Sequence, residues 1–223
     1  LKQFLKNNAL ILSIYFAVIF TAIYFLLNFD KTTIHIYLNQ MVGNKWLDTF
    51  FFYITYFGDG RVAPFLIILI FLYNVRLGIC ATFSVIIATS FSSILKHYFF
   101  DEVFRPGFVF EWFNHTPIKY VKNQFLHIGN SFPSGHSTQV FAIFMCLVFY
   151  AKNNFLKFIF LSIALLTAFS RTYLSQHWLV DITVGSIIGC TVSFLFYYLL
   201  ILRNKFIKLN KSLLKTGAFS LEK

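Results

Sequence analysis

Apolar and polar positions fall here in long blocks, not in short periods. Residues 9–28 form a first apolar run, closed by Asn28-Phe29-Asp30-Lys31. Residues 31–45 are mixed and suit the membrane interface. The aromatic-rich stretch from Trp46 to Phe57 is too short to cross a bilayer alone. Gly58-Asp59-Gly60 breaks it. Arg61-Val62-Ala63-Pro64 then restarts a helix, with Pro in the first turn, where its missing N–H costs no hydrogen bond. So 46–57 reads as a short helix leading into a second span over about 61–74. A third span is predicted over about 77–98, lined on one side by Ser84, Thr89, Ser92 and Ser93, small hydroxyl residues that allow close helix packing. The longest polar stretch follows, at about 99–132. Its prolines and scattered Phe and Trp suit a loop resting on lipid headgroups. A fourth span opens at Pro133 and ends near Ala151, a fifth covers about 155–173 and a sixth 177–202. The pattern predicts an all-α fold, a polytopic membrane helical bundle of six transmembrane helices. It predicts one domain over 1–223, ending in a basic cytoplasmic tail at about 203–223.

Composition agrees. The chain is 58% apolar and 12% charged, about half the charge of an ordinary soluble protein. The net charge of +11 does not indicate a nucleic-acid partner, because the basic residues are dispersed over loops and tail with no soluble module to present a groove. They report topology instead. Six spans put both termini on one side. That side holds 11 of the 19 Lys and Arg residues, and seven of the eight acidic residues lie on the other. The termini are therefore expected in the cytoplasm, with the chain in a bacterial inner (plasma) membrane. Cys80, Cys146 and Cys190 are an odd, well-spaced set in apolar runs, which argues against disulfides or a zinc site. No cleavable leader is expected, since the first apolar run is long and lacks a small-residue cleavage site.

Chemistry concentrates in three segments, each at the outer end of a predicted span: Lys96 with Arg105-Pro106, then Pro133-Ser134-Gly135-His136, then Ser170-Arg171 with His177 and Asp181. Ionisable residues entering bilayer-length helices are expensive and mark function. Two arginines and a lysine can clamp a phosphate, the arginines bidentately. The Pro-Ser-Gly-His turn opens a helix whose first N–H groups are free to meet an anion. There Gly135 permits close approach and Ser134 adds a hydroxyl. His177 and Asp181 share one helix face. An imidazole can attack phosphorus, with Asp181 taking the Nδ1 proton so that Nε2 is the nucleophile. His136 can protonate the departing alkoxide and then deprotonate water. Fixed positive charge can stabilise the transition state without a metal.

These segments resemble the type 2 phosphatidic acid phosphatase superfamily, which includes bacterial lipid phosphatases and vanadium haloperoxidases. Its pattern is Lys-x6-Arg-Pro, Pro-Ser-Gly-His and Ser-Arg-x5-His-x3-Asp. The second part is matched in full by Pro133 to His136, and the third by Ser170, Arg171, His177 and Asp181. The first departs: Lys96 precedes Arg105 by nine positions instead of seven, and Tyr98 occupies the family lysine's position. A two-residue insertion within Phe99 to Phe104 would reconcile it. The resemblance implies His177 as nucleophile, with Asp181 as its orienter, and His136 as acid/base. It implies Arg171, Arg105, Lys96, Ser134 and Gly135 as phosphate ligands, with no metal and no cofactor.

Simpler readings cover the rest. His35, His97, His115 and His127 share no spacing and read as interfacial loop histidines, not metal ligands. Gly185 and Gly189 continue the His177/Asp181 face and read as a packing seam. Asp59 and Arg61 read as part of a structural turn. The aromatic loop Phe108 to Phe113 is a candidate gate or seat for substrate.

The expectation is a membrane lipid phosphatase acting on a lipid phosphomonoester or pyrophosphate at the outer face of the membrane. Its partners would be the bilayer and the lipid phosphate, with no obligate protein partner. Lipid A is the first substrate expected. Undecaprenyl pyrophosphate and phosphatidylglycerophosphate are alternatives, as is lipid-to-lipid phosphotransfer. A membrane transporter or scaffold would explain the spans, but not three anion-binding segments at one membrane face.

Overall fold

The structure, a computed structural model, describes residues 1–203 apart from 115 and 123. The expected basic tail, beyond Arg203, lies outside the described residues, as does His115. The described residues form helices and no strand. In chain order the helices are α1 (Lys2–Asn28), α2 (Lys31–Asn39), α3 (Lys45–Ile54), α4 (Ala63–Tyr73) and α5 (Val75–Ile94). They continue with α6 (Pro106–Val109), α7 (Gly135–Tyr150), α8 (Asn154–Tyr173) and α9 (Leu179–Tyr197). Local chemistry sets most starts. Asp30, Asn44, Asn74, Ser134 and Asn153 each accept a first-turn N–H as N-cap.

Four helical segments are long and apolar enough to cross a membrane: Lys2–Asn28, Val75–Phe99, Asn154–Tyr173 and Leu179–Leu202. A fifth crossing is available if Lys45–Gly58 and Ala63–Tyr73 count as one span, broken by a 66° bend. That bend falls on Gly58-Asp59-Gly60, where the sequence breaks its apolar run. The protein is an integral membrane protein. Segment α7 is apolar but only 16 residues long, about 24 Å. The expected count of six is thus matched in length and composition by four segments, or five with the bent pair.

Helix α7 is short because it is central. It packs against α9, α8 and α5, and all but four of its residues are buried. A helix apolar all round belongs inside a bundle. Its seam with α9 is set by two glycines. A Cβ at Gly185 would fall 2.6 Å from the Ser134 carbonyl oxygen. One at Gly189 would strike the Thr138 carbonyl oxygen and lie 2.7 Å from the Phe141 Cβ. The expected packing seam is there, and it presses the start of α7 against the start of α9. Outward-facing Phe16, Phe20, Phe83, Ile86, Ile87 and Leu195 present apolar surface to lipid. At the opposite end, Arg76 Nε donates to the Leu200 carbonyl at 2.8 Å and Lys157 Nζ to the Asn7 carbonyl at 2.6 Å.

Candidate active site

The three segments meet at one end of the bundle. His177 lies on the connection between α8 and α9, 2% exposed, and Asp181 in the first turn of α9, fully buried. Their contact is 3.3 Å, from His177 Nδ1 to Asp181 Oδ2. The same oxygen accepts the Trp178 backbone N–H at 2.9 Å and the Ser131 hydroxyl. This carboxylate is fixed from three directions, so it fixes the imidazole in turn. With Nδ1 engaged, Nε2 is the nitrogen left to face a ligand. Burial, reinforced by Arg105, Arg171 and Lys96, holds the His177 imidazole well below its usual range. The ring is therefore neutral, the form that carries a lone pair.

The Pro-Ser-Gly-His turn is tied to this pair. The Ser134 N–H donates to the Asp181 carbonyl at 3.0 Å. The Ser134 hydroxyl is fully buried and accepts from the Ser137 N–H at 3.4 Å and the Ser137 hydroxyl at 3.1 Å. It is first a helix cap, with its own proton left for a ligand. A Cβ built on Gly135 would meet no protein atom within 4 Å. The space against this backbone is open, and no unusual backbone angle there calls for glycine.

Arg171 is 7% exposed and donates from Nη1 to the Thr55 hydroxyl at 2.9 Å. Its Nε is buried without a partner. A guanidinium with a free, desolvated N–H is available to an anion. Arg105 donates from Nε to the Gly129 carbonyl at 2.9 Å and from Nη1 to Gln176 Oε1 at 3.1 Å. Burial pulls it down to about 10, opposed by Asp181, so it remains a cation at neutral pH. Lys96 sits in a widened turn, Leu95–Phe99, that extends α5 by i→i+5 geometry. A turn of this kind takes up an extra residue, which accommodates part of the long spacing to Arg105. Its ammonium acts electrostatically on Arg105, Asp181 and Arg171, so it faces the same site, whereas His97 is exposed.

The loop before α7 is stapled to the His177 connection. Trp178 Nε1 donates to the Phe104 carbonyl at 2.8 Å, Gln176 Nε2 to the Phe125 carbonyl at 2.8 Å, and the Gly107 N–H to the Ser175 carbonyl at 3.2 Å. Ser175 itself takes φ 52°, a left-handed conformation that a non-glycine residue holds only when its surroundings enforce it. His35 departs from expectation. It is helical and 1% exposed, stacked on Phe110 and edge-on to Trp178, with Nε2 3.1 Å from the Ser175 hydroxyl. The 31–45 stretch folds inward because its cap at Asp30 starts a helix whose inner face meets that connection. The aromatic loop divides as well: Phe110 is core, while Trp112 and Phe113 are exposed.

Sequence reasoning missed Ser131, Thr55, Gln176 and His35. Gln176 neighbours His177 and was open to suspicion. Single hydroxyls such as Ser131 and Thr55 carry no sequence signal.

Known proteins bear on the family and the fold. The family model described as PAP2 superfamily matches residues 77–205 of the 223. The chain belongs to the PAP2 superfamily. Among solved structures, LpxE from Aquifex aeolicus is 24% identical, with a TM-score of 0.64 over 74% of this chain and 92% of that one. A transmembrane PAP2 type phosphatidylglycerolphosphate phosphatase from Bacillus subtilis is 20% identical, with a TM-score of 0.62 over 92% of this chain and all of that one. Both share the PAP2 fold seen here. No curated protein gives a significant match. The PAP2 match contains all three motif segments and excludes α1 to α4.

Proposed function

We propose that this PAP2 protein is a membrane lipid phosphatase. It hydrolyses a phosphomonoester or pyrophosphate on a lipid headgroup through a phosphohistidine, with no metal. The observation that carries this reading is one arrangement: a buried neutral imidazole, oriented from behind by a fixed carboxylate and facing cations and a helix N-terminus.

The proposed chemistry has two steps. The Nε2 lone pair of His177 forms a bond to phosphorus. The bond from phosphorus to the lipid oxygen breaks, its electron pair stays on that oxygen, and His136 delivers a proton there. Water then attacks phosphorus and gives a proton to His136. The N–P bond breaks with its pair returning to Nε2, and inorganic phosphate leaves. Arg171, Arg105, Lys96 and the first N–H groups of α7 hold the phosphoryl oxygens, stabilising charge as it develops. Ser134 and Gly135 shape that cradle.

Six crossings complete the reading, with the bent α3–α4 pair as one and α7 as another. The whole chain acts as one domain, its termini in the cytoplasm and its site at the outer face. Lipid A phosphate is the first substrate proposed, with undecaprenyl pyrophosphate and phosphatidylglycerophosphate as alternatives.

The test is phosphate release by the purified protein from lipid A, undecaprenyl pyrophosphate, phosphatidylglycerophosphate and phosphatidic acid, with EDTA present. Release that survives EDTA and disappears in His177→Ala is expected. Release that persists in His177→Ala would remove His177 as nucleophile, and release abolished by EDTA alone would remove the metal-free mechanism.

A further inference from the structure

Helix α8 ends shortly before His177, and the way it ends sets that residue. The Ser175 N–H donates to the Thr172 carbonyl at 3.0 Å and the Gln176 N–H to the Arg171 carbonyl at 2.9 Å. With Ser175 at φ 52°, this is a left-handed helix cap. Its pivot is usually glycine, because a Cβ there is strained. The same turn carries the His177 N–H onto the Arg171 carbonyl at 3.1 Å. The proposed nucleophile and a proposed phosphate ligand are thus joined through one cap, and a serine stands at its pivot.

The serine side chain shows what holds it there. Its hydroxyl lies 3.1 Å from His35 Nε2, and both residues are buried. Burial keeps the His35 ring neutral, so it carries one proton. Its Nδ1 has no partner. A buried N–H without an acceptor is rarer than an acceptor without a donor. The proton therefore sits on Nε2 and is donated to Ser175. His35 is itself held: it stacks on Phe110 at 5.4 Å and meets the Trp178 ring edge-on at 5.6 Å.

His35 belongs to α2, which lies outside the PAP2 match. Lys31, His35 and Asn39 follow at intervals of four and so share one face of α2. That face closes over the connection to His177. Lys31 Nζ lies 4.9 Å above the Trp178 ring. Asn39 grips the loop before α7, donating from Nδ2 to the Lys119 carbonyl at 2.8 Å and accepting the Lys119 N–H at 2.7 Å. The outer two residues anchor α2, and the middle one reaches the cap.

We propose that His35 is a positioning residue for the phosphoryl transfer. Its Nε2–H bond to the Ser175 hydroxyl holds the left-handed cap that sets His177 and Arg171 against one phosphate. This rests on the proposed roles of His177 and Arg171. His35 touches no substrate and exchanges no proton in the reaction.

The experiment is a double-mutant cycle on kcat, using the full-length protein and the best lipid of the panel above, with each variant measured below its thermal midpoint. His35→Phe keeps the stacked ring and removes the donor. It should lower kcat about tenfold, since a reacting group displaced by about 1 Å loses roughly a hundredfold. Glycine takes the left-handed cap without support. Added to Ser175→Gly, His35→Phe should therefore cost less than about twofold. His35→Gln, whose amide N–H reaches the place of Nε2, should recover most of the loss seen in His35→Phe. A residue that only stabilises the fold would lower the midpoint and cost the same in both backgrounds. Equal losses in the parent protein and in Ser175→Gly, or no recovery in His35→Gln, would overturn the inference. So would full kcat in His35→Phe. If His35→Phe does not fold, His35→Asn, with an amide too short for Ser175, takes its place against the same predictions. Phosphate release that persists in His177→Ala would fail the underlying reading. Release that needs His177 but is indifferent to His35 would fail this inference alone.

Discussion

At the scale of single residues, the site combines groups whose roles pull in opposite directions. In the proposed mechanism His177 must be neutral to attack, and burial among cations favours that form. Protonation would destroy the nucleophile, so activity is lost as pH falls through the folded-state value. Because that value is depressed, kcat/KM should hold well below pH ~6.5, the ordinary histidine value; an acid limb centred at 6.5 would contradict a buried, cation-flanked His177. Gly135 offers a separate test. Its Cβ position is open, so Gly135→Ala should leave thermal stability within about 0.5 kcal/mol. It should nonetheless raise KM severalfold if phosphate approaches that backbone, and an unchanged KM would place the phosphate elsewhere. Burial brings His35 down to about 4. Below pH ~6.5 the unfolded chain takes up a proton that folded His35 refuses, so stability falls as pH drops from about 6.5 towards 4 and is flat above. Thermal unfolding of His35→Gln should show a shallower fall than the parent protein. His177, Asp181 and Arg171 were legible in the sequence because charge at the end of an apolar span demands a reason. His35 was not, because a mixed stretch at an interface gives no sign of which face turns inward.

At the scale of elements, the site depends on a seam made by residues without chemistry of their own. The Gly185/Gly189 seam brings α9 against α7, so that the Ser134 N–H reaches the Asp181 carbonyl. A methyl at Gly189 must displace the α7 backbone. Gly189→Ala should cost about 1–3 kcal/mol, the usual penalty of overpacking, read as a lower midpoint in thermal or denaturant unfolding. The seam was visible as glycines spaced four apart on the His177 face, and the bend at Gly58-Asp59-Gly60 as a break in apolar pattern. The widened turn at Leu95–Phe99 was not visible. Lys96 stood out only as displaced from the family spacing, since no residue type in that turn demands i→i+5 bonding. What the bend packs against was equally hidden, because sequence marks where a helix breaks but not which partner the broken ends meet.

At the scale of the whole molecule, composition and block pattern already define a helical membrane protein, and the PAP2 match fits that architecture. Span number was less legible. A central helix need not be long when its neighbours cover it, so length is a poor guide for α7. The proposed orientation predicts that single cysteines in a cysteine-free background will react with an impermeant thiol reagent added to whole cells at position 119. They will react at position 152 only after the membrane is opened, and the reverse pattern would invert the topology. In the proposed mechanism His177 carries the phosphoryl group between lipid and water. The most direct measurement is rapid quenching under alkaline conditions during turnover of phosphate-labelled lipid, followed by mapping of the label. An acid-labile, alkali-stable phosphate is expected on the peptide containing His177, and none in His177→Ala. Turnover with no protein-bound phosphate, or label on any other residue, would contradict it.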